Sequence, residues 1–154
     1  MKVKICGLSK PKEVIACIKH GANFCGFILN YPKSHRFINF KKAKKLTNIK
    51  KKNTKFVGVL VNPTEKELKK YSKLKIDYFQ IYGNYNDNLI SNIKSKYKKK
   101  IISVIQVKKK RDVLNYKKIK NSADIILWDS SGMEKSLEWN FNWVKLIPSN
   151  ITKM

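Results

Sequence analysis

The residues able to do chemistry in this chain sit where short apolar runs end. Cys6 closes the run Val3–Cys6, and Asp129 directly follows Ile125–Trp128. Side chains alternate between faces along a strand, so Cys6 shares a face with Lys4, and Asp129 with Leu127 and Ile125. A cation beside a thiol favours the thiolate, which can act as a base. Apolar neighbours favour the protonated form of a carboxyl group, which can act as an acid. Arg36 is one of two arginines, with Arg111, in a chain dense in lysine. Its rarity among so many lysines is what draws attention to it. Each residue also has a plainer reading. Cys6 would be a small buried side chain, Asp129 a loop or cap residue and Arg36 a surface charge. Residue type and position alone leave both readings open.

The elements that must position these groups alternate. Strand-like runs are Val3–Cys6, Phe24–Leu29, Phe56–Val61, Tyr78–Tyr82, Ile101–Val107 and Ile125–Trp128. Each is short, apolar and rich in β-branched or aromatic residues, and most lack strict alternation, as strands buried on both faces do. Between them lie amphipathic stretches at Pro11–His20, Phe40–Ile49, Thr64–Lys73, Asn86–Lys98, Asp112–Ile119 and Glu138–Leu146. Pro11 is placed to open the first helix, and Thr64 with Glu67 spells a capping box. Trp128, Trp139 and Trp143 are expected in the core. Strand starts recur roughly every 22–25 residues, with one longer step between the second and third. Repeated βα units at such a period mean an α/β fold with parallel strands, either an open sheet or a closed barrel. The G-x-G-x-x-G turn of a dinucleotide fold is absent after the first strand.

Five motifs recur in order: Lys4-Ile5-Cys6-Gly7, Gly21-Ala22-Asn23-Phe24-Cys25-Gly26-Phe27 with Pro32-Lys33-Ser34-His35-Arg36, Val57-Gly58-Val59-Leu60-Val61-Asn62, Phe79-Gln80-Ile81-Tyr82-Gly83, and Leu127-Trp128-Asp129-Ser130 with Leu137-Glu138-Trp139. In this order and spacing they resemble the phosphoribosylanthranilate isomerase family of tryptophan biosynthesis, from Met1 to about Pro148. The resemblance implies an α/β fold of the (β/α)8 TIM-barrel type. It implies an aldose–ketose isomerase that performs an Amadori rearrangement of N-(5-phosphoribosyl)anthranilate, without metal or organic cofactor. By motif, Cys6 would be the base and Asp129 the acid. Arg36, Gln80 and Tyr82 would contact substrate, Arg36 through the anthranilate carboxylate.

Several positions depart from the family pattern. Tyr82 stands where the fourth strand usually ends in His; Tyr can donate a hydrogen bond but does not titrate near neutrality. His35 replaces a more usual Pro, which loosens the loop carrying Arg36. Ser130-Ser131-Gly132-Met133-Glu134-Lys135-Ser136 replaces a glycine-rich loop, and Glu134 would repel an anionic ligand. The 154 residues hold about the first six βα units of a fold that needs at least ~200. The expectation is therefore a single incomplete barrel domain over 1–154. Its last two units and their phosphate-binding loops would be missing, and a seventh strand would begin near Ile151. Unpaired barrel edges would then favour a homo-oligomer or a complementing chain.

Composition limits the alternatives. Cys6, Cys17 and Cys25 are odd in number and form no C-x-x-C pair, so neither a disulfide framework nor a zinc site is indicated. A reducing cytoplasm fits. The opening residues lack the apolar core and small-residue cleavage site of a signal peptide, so export is not expected, and no apolar run reaches the ~18 residues of a membrane span. The net charge is +25. It comes almost wholly from lysines spread over every helix, which reads as solvated surface rather than a specific nucleic-acid or membrane site. The expected partner is a small phosphorylated substrate. The competing reading is an inactive fragment or a lysine-rich remnant that binds polyanions, and steep salt dependence would mark the latter.

Overall fold

The computed structural model describes residues 2–130 and 137–154. The chain divides into two compact units, Met1–Gln80 and Ile81–Met154, so the boundary falls inside the fourth strand.

The first unit contains β1 (Lys4–Cys6), α1 (Pro11–Lys19), β2 (Phe24–Ile28), α2 (Phe40–Thr47), β3 (Lys55–Val61), α3 (Glu65–Ser72) and the first three residues of β4 (Tyr78–Tyr82). Strands β1, β2 and β3 pair in parallel in sequence order, with Cys6 opposite Gly26 and Gly26 opposite Val57. All five residues of β2 are buried. That explains its unbroken apolar run, since helices and neighbouring strands cover both faces.

The second unit contains the end of β4, α4 (Asp87–Tyr97), β5 (Lys100–Val107) and β6 (Ile125–Ser130). Strands β5 and β6 pair in parallel from Ile102–Ile125 to Val107–Ser130. The two helices expected after β5 and β6 are 3-10 helices, at Lys110–Lys118 and Phe141–Leu146. Asp112, Val113, Asn115 and Tyr116 in the first, and Phe141, Asn142, Trp143 and Val144 in the second, are poor α-formers. Pro148 follows the second closely and cannot extend it. Thr152–Met154 runs beside β6, where the spacing places a seventh strand. The Ile126 amide donates to Thr152 O at 3.0 Å, and the Met154 amide donates to Ile126 O at 2.9 Å.

The connections repeat with a period of two βα units. At the start of each even strand a short polar side chain clamps the start of the preceding odd strand. Asn23 accepts from the Val3 amide at 2.8 Å, Asp77 from Phe56 at 2.7 Å and Asp124 from Ile101 at 2.8 Å. The amide of the same residue donates back to that partner's carbonyl in all three cases. Lys51 and Lys94 lie on Asp77 and Asp124 at 2.6 and 3.0 Å. Helix starts alternate as well. Asn39 and Asn86 cap α2 and α4 by accepting from Lys42 and Leu89 amides. After the odd strands an acid inside the helix reaches back. Glu13 accepts from the Ser9 and Lys10 amides, Glu67 from Thr64 and Asp112 from Lys108 and Lys109. The capping box expected at Thr64 is present, with the Glu67 amide donating to Thr64 Oγ1 at 3.2 Å.

These caps are pH-sensitive. The Ser9 amide, then the Lys10 amide, hold the Glu13 carboxyl below its ordinary range. A depressed value in the folded state contributes stability above the ordinary glutamate value, and that stability is lost as pH falls through the folded value. Glu13→Gln should therefore melt below the parent chain at pH 7, with the gap closing in acid. A gap that persists unchanged in acid would show that the charge is not what matters.

Candidate active site

Cys6 ends β1, and its surroundings are built by two glycines. The amides of Gly7 and Leu8 both donate to Gly26 O at 3.0 Å, which clamps the turn behind Cys6. A Cβ placed on Gly26 would lie 2.9 Å from Cys6 Sγ and 3.3 Å from Lys4 Nζ. The thiol and the ammonium of Lys4 thus lie over the same bare backbone, on the shared face that strand alternation predicts. Cys6 is half-exposed, whereas Cys25 is fully buried. Burial, reinforced by the neighbouring Cys17 thiol, pushes the Cys25 thiol up to about 12. Cys25 is a core residue, as its plain reading holds.

Arg36 reaches the same place from the loop after β2. Gly7 has φ +82°, and a Cβ there would lie 2.5 Å from Arg36 Cδ. The arginine stem therefore crosses the residue next to Cys6. The loop holding it is tied down despite His35. Buried Ser34 donates its amide to Tyr31 O and accepts the Arg36 amide on its hydroxyl, and Ile38 donates to Ile28 O at 3.0 Å. Gly7→Ala should cost roughly 1–3 kcal/mol from the left-handed backbone and more from the displaced arginine. Gly21 has φ +77° with nothing within 4 Å of a Cβ, so Gly21→Ala carries the backbone cost alone. Urea midpoints compare the two; equal losses would mean that Arg36 does not pack on Gly7.

Asp129 lies inside β6, which runs two residues beyond the predicted Trp128. It is half-buried. Its Oδ1 accepts the Ser130 amide at 2.8 Å and its Oδ2 accepts the Tyr82 hydroxyl at 2.7 Å. An open cleft of about 560 Å3 adjoins it, lined also by Trp128, Leu137, Glu138, Trp139 and Phe141. Of the three tryptophans only Trp128 is in the core, donating to Val113 O at 3.1 Å. Trp139 and Trp143 are half-buried and cluster with exposed Phe141, so their assignment to the core is corrected. Of these, Trp139 and Phe141 line the cleft.

The predicted residues therefore gather in two groups. Cys6 and Arg36 meet in the first unit, together with Lys4, Gly7 and Gly26, while Asp129 and Tyr82 meet in the second. Gln80 lies within β4 and is 1% exposed. The Ser131–Ser136 part of the expected loop, with Glu134, falls outside the described residues. Lys4 was read from strand alternation as the cation beside Cys6, whereas the roles of Gly26 and Ser34 as supports were not singled out from sequence. The register Cys6–Gly26 was the signal available for Gly26, and it required knowing the strand pairing.

The sequence profile of the family described as "N-(5'phosphoribosyl)anthranilate (PRA) isomerase" matches residues 3–149. The N-(5'-phosphoribosyl)anthranilate isomerase of Streptococcus mutans is 40% identical over 89 residues, covering 57% of this chain and 45% of that protein. The matched segment thus spans less than half the length of that relative. A solved structure of monomers of the dimeric phosphoribosylanthranilate isomerase from Thermotoga maritima superimposes with a TM-score of 0.80 at 24% identity, covering 94% of this chain and 69% of that one. Another phosphoribosylanthranilate isomerase, in complex with reduced 1-(o-carboxyphenylamino)-1-deoxyribulose 5-phosphate, gives 0.72 at 29% identity, covering 84% and 65%. These likenesses bear out the expected fold class, α/β of the TIM-barrel type.

Proposed function

Because this chain belongs to the N-(5'-phosphoribosyl)anthranilate isomerase family, we propose that it carries the proton-transfer and carboxylate-binding groups for the Amadori rearrangement of N-(5-phosphoribosyl)anthranilate to 1-(2-carboxyphenylamino)-1-deoxyribulose 5-phosphate. The observation that carries the proposal is the stem of Arg36 lying across Gly7, beside Cys6. It puts a guanidinium and a thiol at the C-terminal end of β1, the end where barrels of this type do chemistry.

Asp129 gives a proton to the ribose ring oxygen. The C1–O bond breaks, and the nitrogen lone pair forms the iminium. Cys6, as thiolate, removes the proton from C2, and those electrons neutralise the iminium as an enolamine. Loss of the enol O–H proton and gain of a proton at C1 then give the ketone, with no net change in protons. Arg36 holds the anthranilate carboxylate, and Gln80 is a further substrate contact assigned from the motifs. The scheme calls for no metal or organic cofactor.

The setting we propose is the cytoplasm. It is supported by the family's biosynthetic role; among the described residues no helix is long and apolar enough to cross a membrane. Association through the β1 face is part of the reading. Val3 and Ile5 are 41% and 40% exposed, and they line an apolar groove of about 330 Å3 with Ala16, Cys17 and His20.

Complementation of a tryptophan auxotroph lacking this isomerase tests the function. The 154-residue chain is compared with a version extended by the last two βα units of a related enzyme, and sedimentation reports the size of each. Growth with either chain supports the isomerase. Growth with neither, despite folded protein, would favour a remnant with another role.

A further inference from the structure

We propose that Tyr82 is a positioning residue for Asp129, fixing the carboxyl group that donates the proton, rather than a residue that contacts substrate through its hydroxyl. The inference rests on the isomerase reading above and deepens it.

Tyr82 is the last residue of β4. Its hydroxyl donates to Asp129 Oδ2 at 2.7 Å, while the Ser130 amide donates to Oδ1 at 2.8 Å. Among the described residues a donor thus holds each oxygen of the carboxylate, so rotation of the carboxyl group breaks one bond or both. A tyrosine delivers its hydroxyl with few rotatable bonds, so this restraint is stiff. Asp129 also borders the open cleft between Trp128 and Trp139, which leaves it access to a ligand.

The bond also has a consequence for the reaction. When Asp129 passes its proton to the ring oxygen, negative charge develops on the carboxylate. A hydrogen bond to an ionised acceptor is stronger than one to a neutral acceptor. The Tyr82 bond therefore strengthens as the proton leaves, and it favours the step without Tyr82 losing its own proton. A phenol keeps that proton across the neutral range, whereas an imidazole in the same place would titrate there. Tyr82 thus supplies a donor whose strength does not vary with pH near neutrality.

The test uses the 154-residue chain with 13Cζ-labelled tyrosine. The Tyr82 signal, assigned by its loss in Tyr82→Phe, should move on Asp129→Ala and also on Asp129→Asn, whose carboxamide keeps its oxygen for the Ser130 amide and turns its nitrogen, a donor, to the hydroxyl. A Tyr82 signal indifferent to both variants overturns the proposal. Turnover is measured on the same samples. Tyr82→Phe should lose roughly ten- to a hundred-fold in kcat with KM nearly unchanged. Tyr82→His should recover much of the rate, with a new limb in the pH profile near ~6.5. Loss carried in KM with kcat intact would make Tyr82 a substrate contact and overturn the proposal. Absence of turnover in the parent chain would count against isomerase activity in this chain, while the labelled-tyrosine measurement still decides whether Tyr82 holds Asp129.

Discussion

Asp129→Asn is expected to lower kcat by roughly 10²- to 10⁴-fold, the usual range for removing a general acid, with the fold intact. The substitution is isosteric. The carboxamide oxygen can accept the Ser130 amide in place of Oδ1, and the amide nitrogen can donate to the Tyr82 hydroxyl, which rotates to accept. No buried group is stranded, so a fall in melting temperature should be small. What is lost is the proton for the ring oxygen. Cys6→Ser should fall by a comparable factor, because a serine hydroxyl is far less acidic than a thiol and supplies almost no anion at neutral pH. Cys17→Ser is the matching control, since Cys17 lies in α1, outside the proposed chemistry. Stopped-flow decay of substrate fluorescence measures all three. Full activity in Cys6→Ser would remove the thiol from the mechanism.

The sequence carried the order of elements because each strand is an apolar run bounded by polar turns. Five motifs in register then carried Cys6, Arg36 and Asp129. The supports of these residues were harder to read. Gly26 serves Cys6 only through the parallel register of β1 and β2, which pairs residues twenty apart. Nothing local marks that partnership. The Asn23, Asp77 and Asp124 clamps hid for the same reason. Each looks like a turn residue before a strand, and its partner opens a strand one unit earlier. The Tyr82–Asp129 bond joins residues 47 apart. The sequence showed Tyr82 as a departure from the family's His but not what its hydroxyl would hold. The 3-10 segments were misread for a different cause. Amphipathic spacing signals a buried stripe, but weak helix formers can bury the same stripe with a tighter winding.

Phe56→Ala should destabilise the first unit by roughly 3–5 kcal/mol, the range for deleting a buried phenylalanine. Phe56 opens the apolar run of β3 with no exposed surface, and its ring meets Phe27 edge-on at 5.4 Å and 89°. Phe27 is equally buried, so removal of either ring costs the other residues around it their contacts with it. The Lys51 ammonium also sits over the Phe56 ring at 5.5 Å. Its other anchor is Asp77, which accepts the Phe56 amide at 2.7 Å. The alanine backbone keeps the bonds to Asp77, so the loss isolates the ring from the clamp. Against a total stability of about 5–15 kcal/mol for an ordinary domain, the variant would sit near the edge of folding. Urea denaturation of Phe56→Ala, Phe27→Ala and the double variant measures this. The two rings touch, so the double variant should lose less than the sum of the single losses. Strict additivity would mean that the rings are energetically independent and that the β2–β3 core is not organised around their contact.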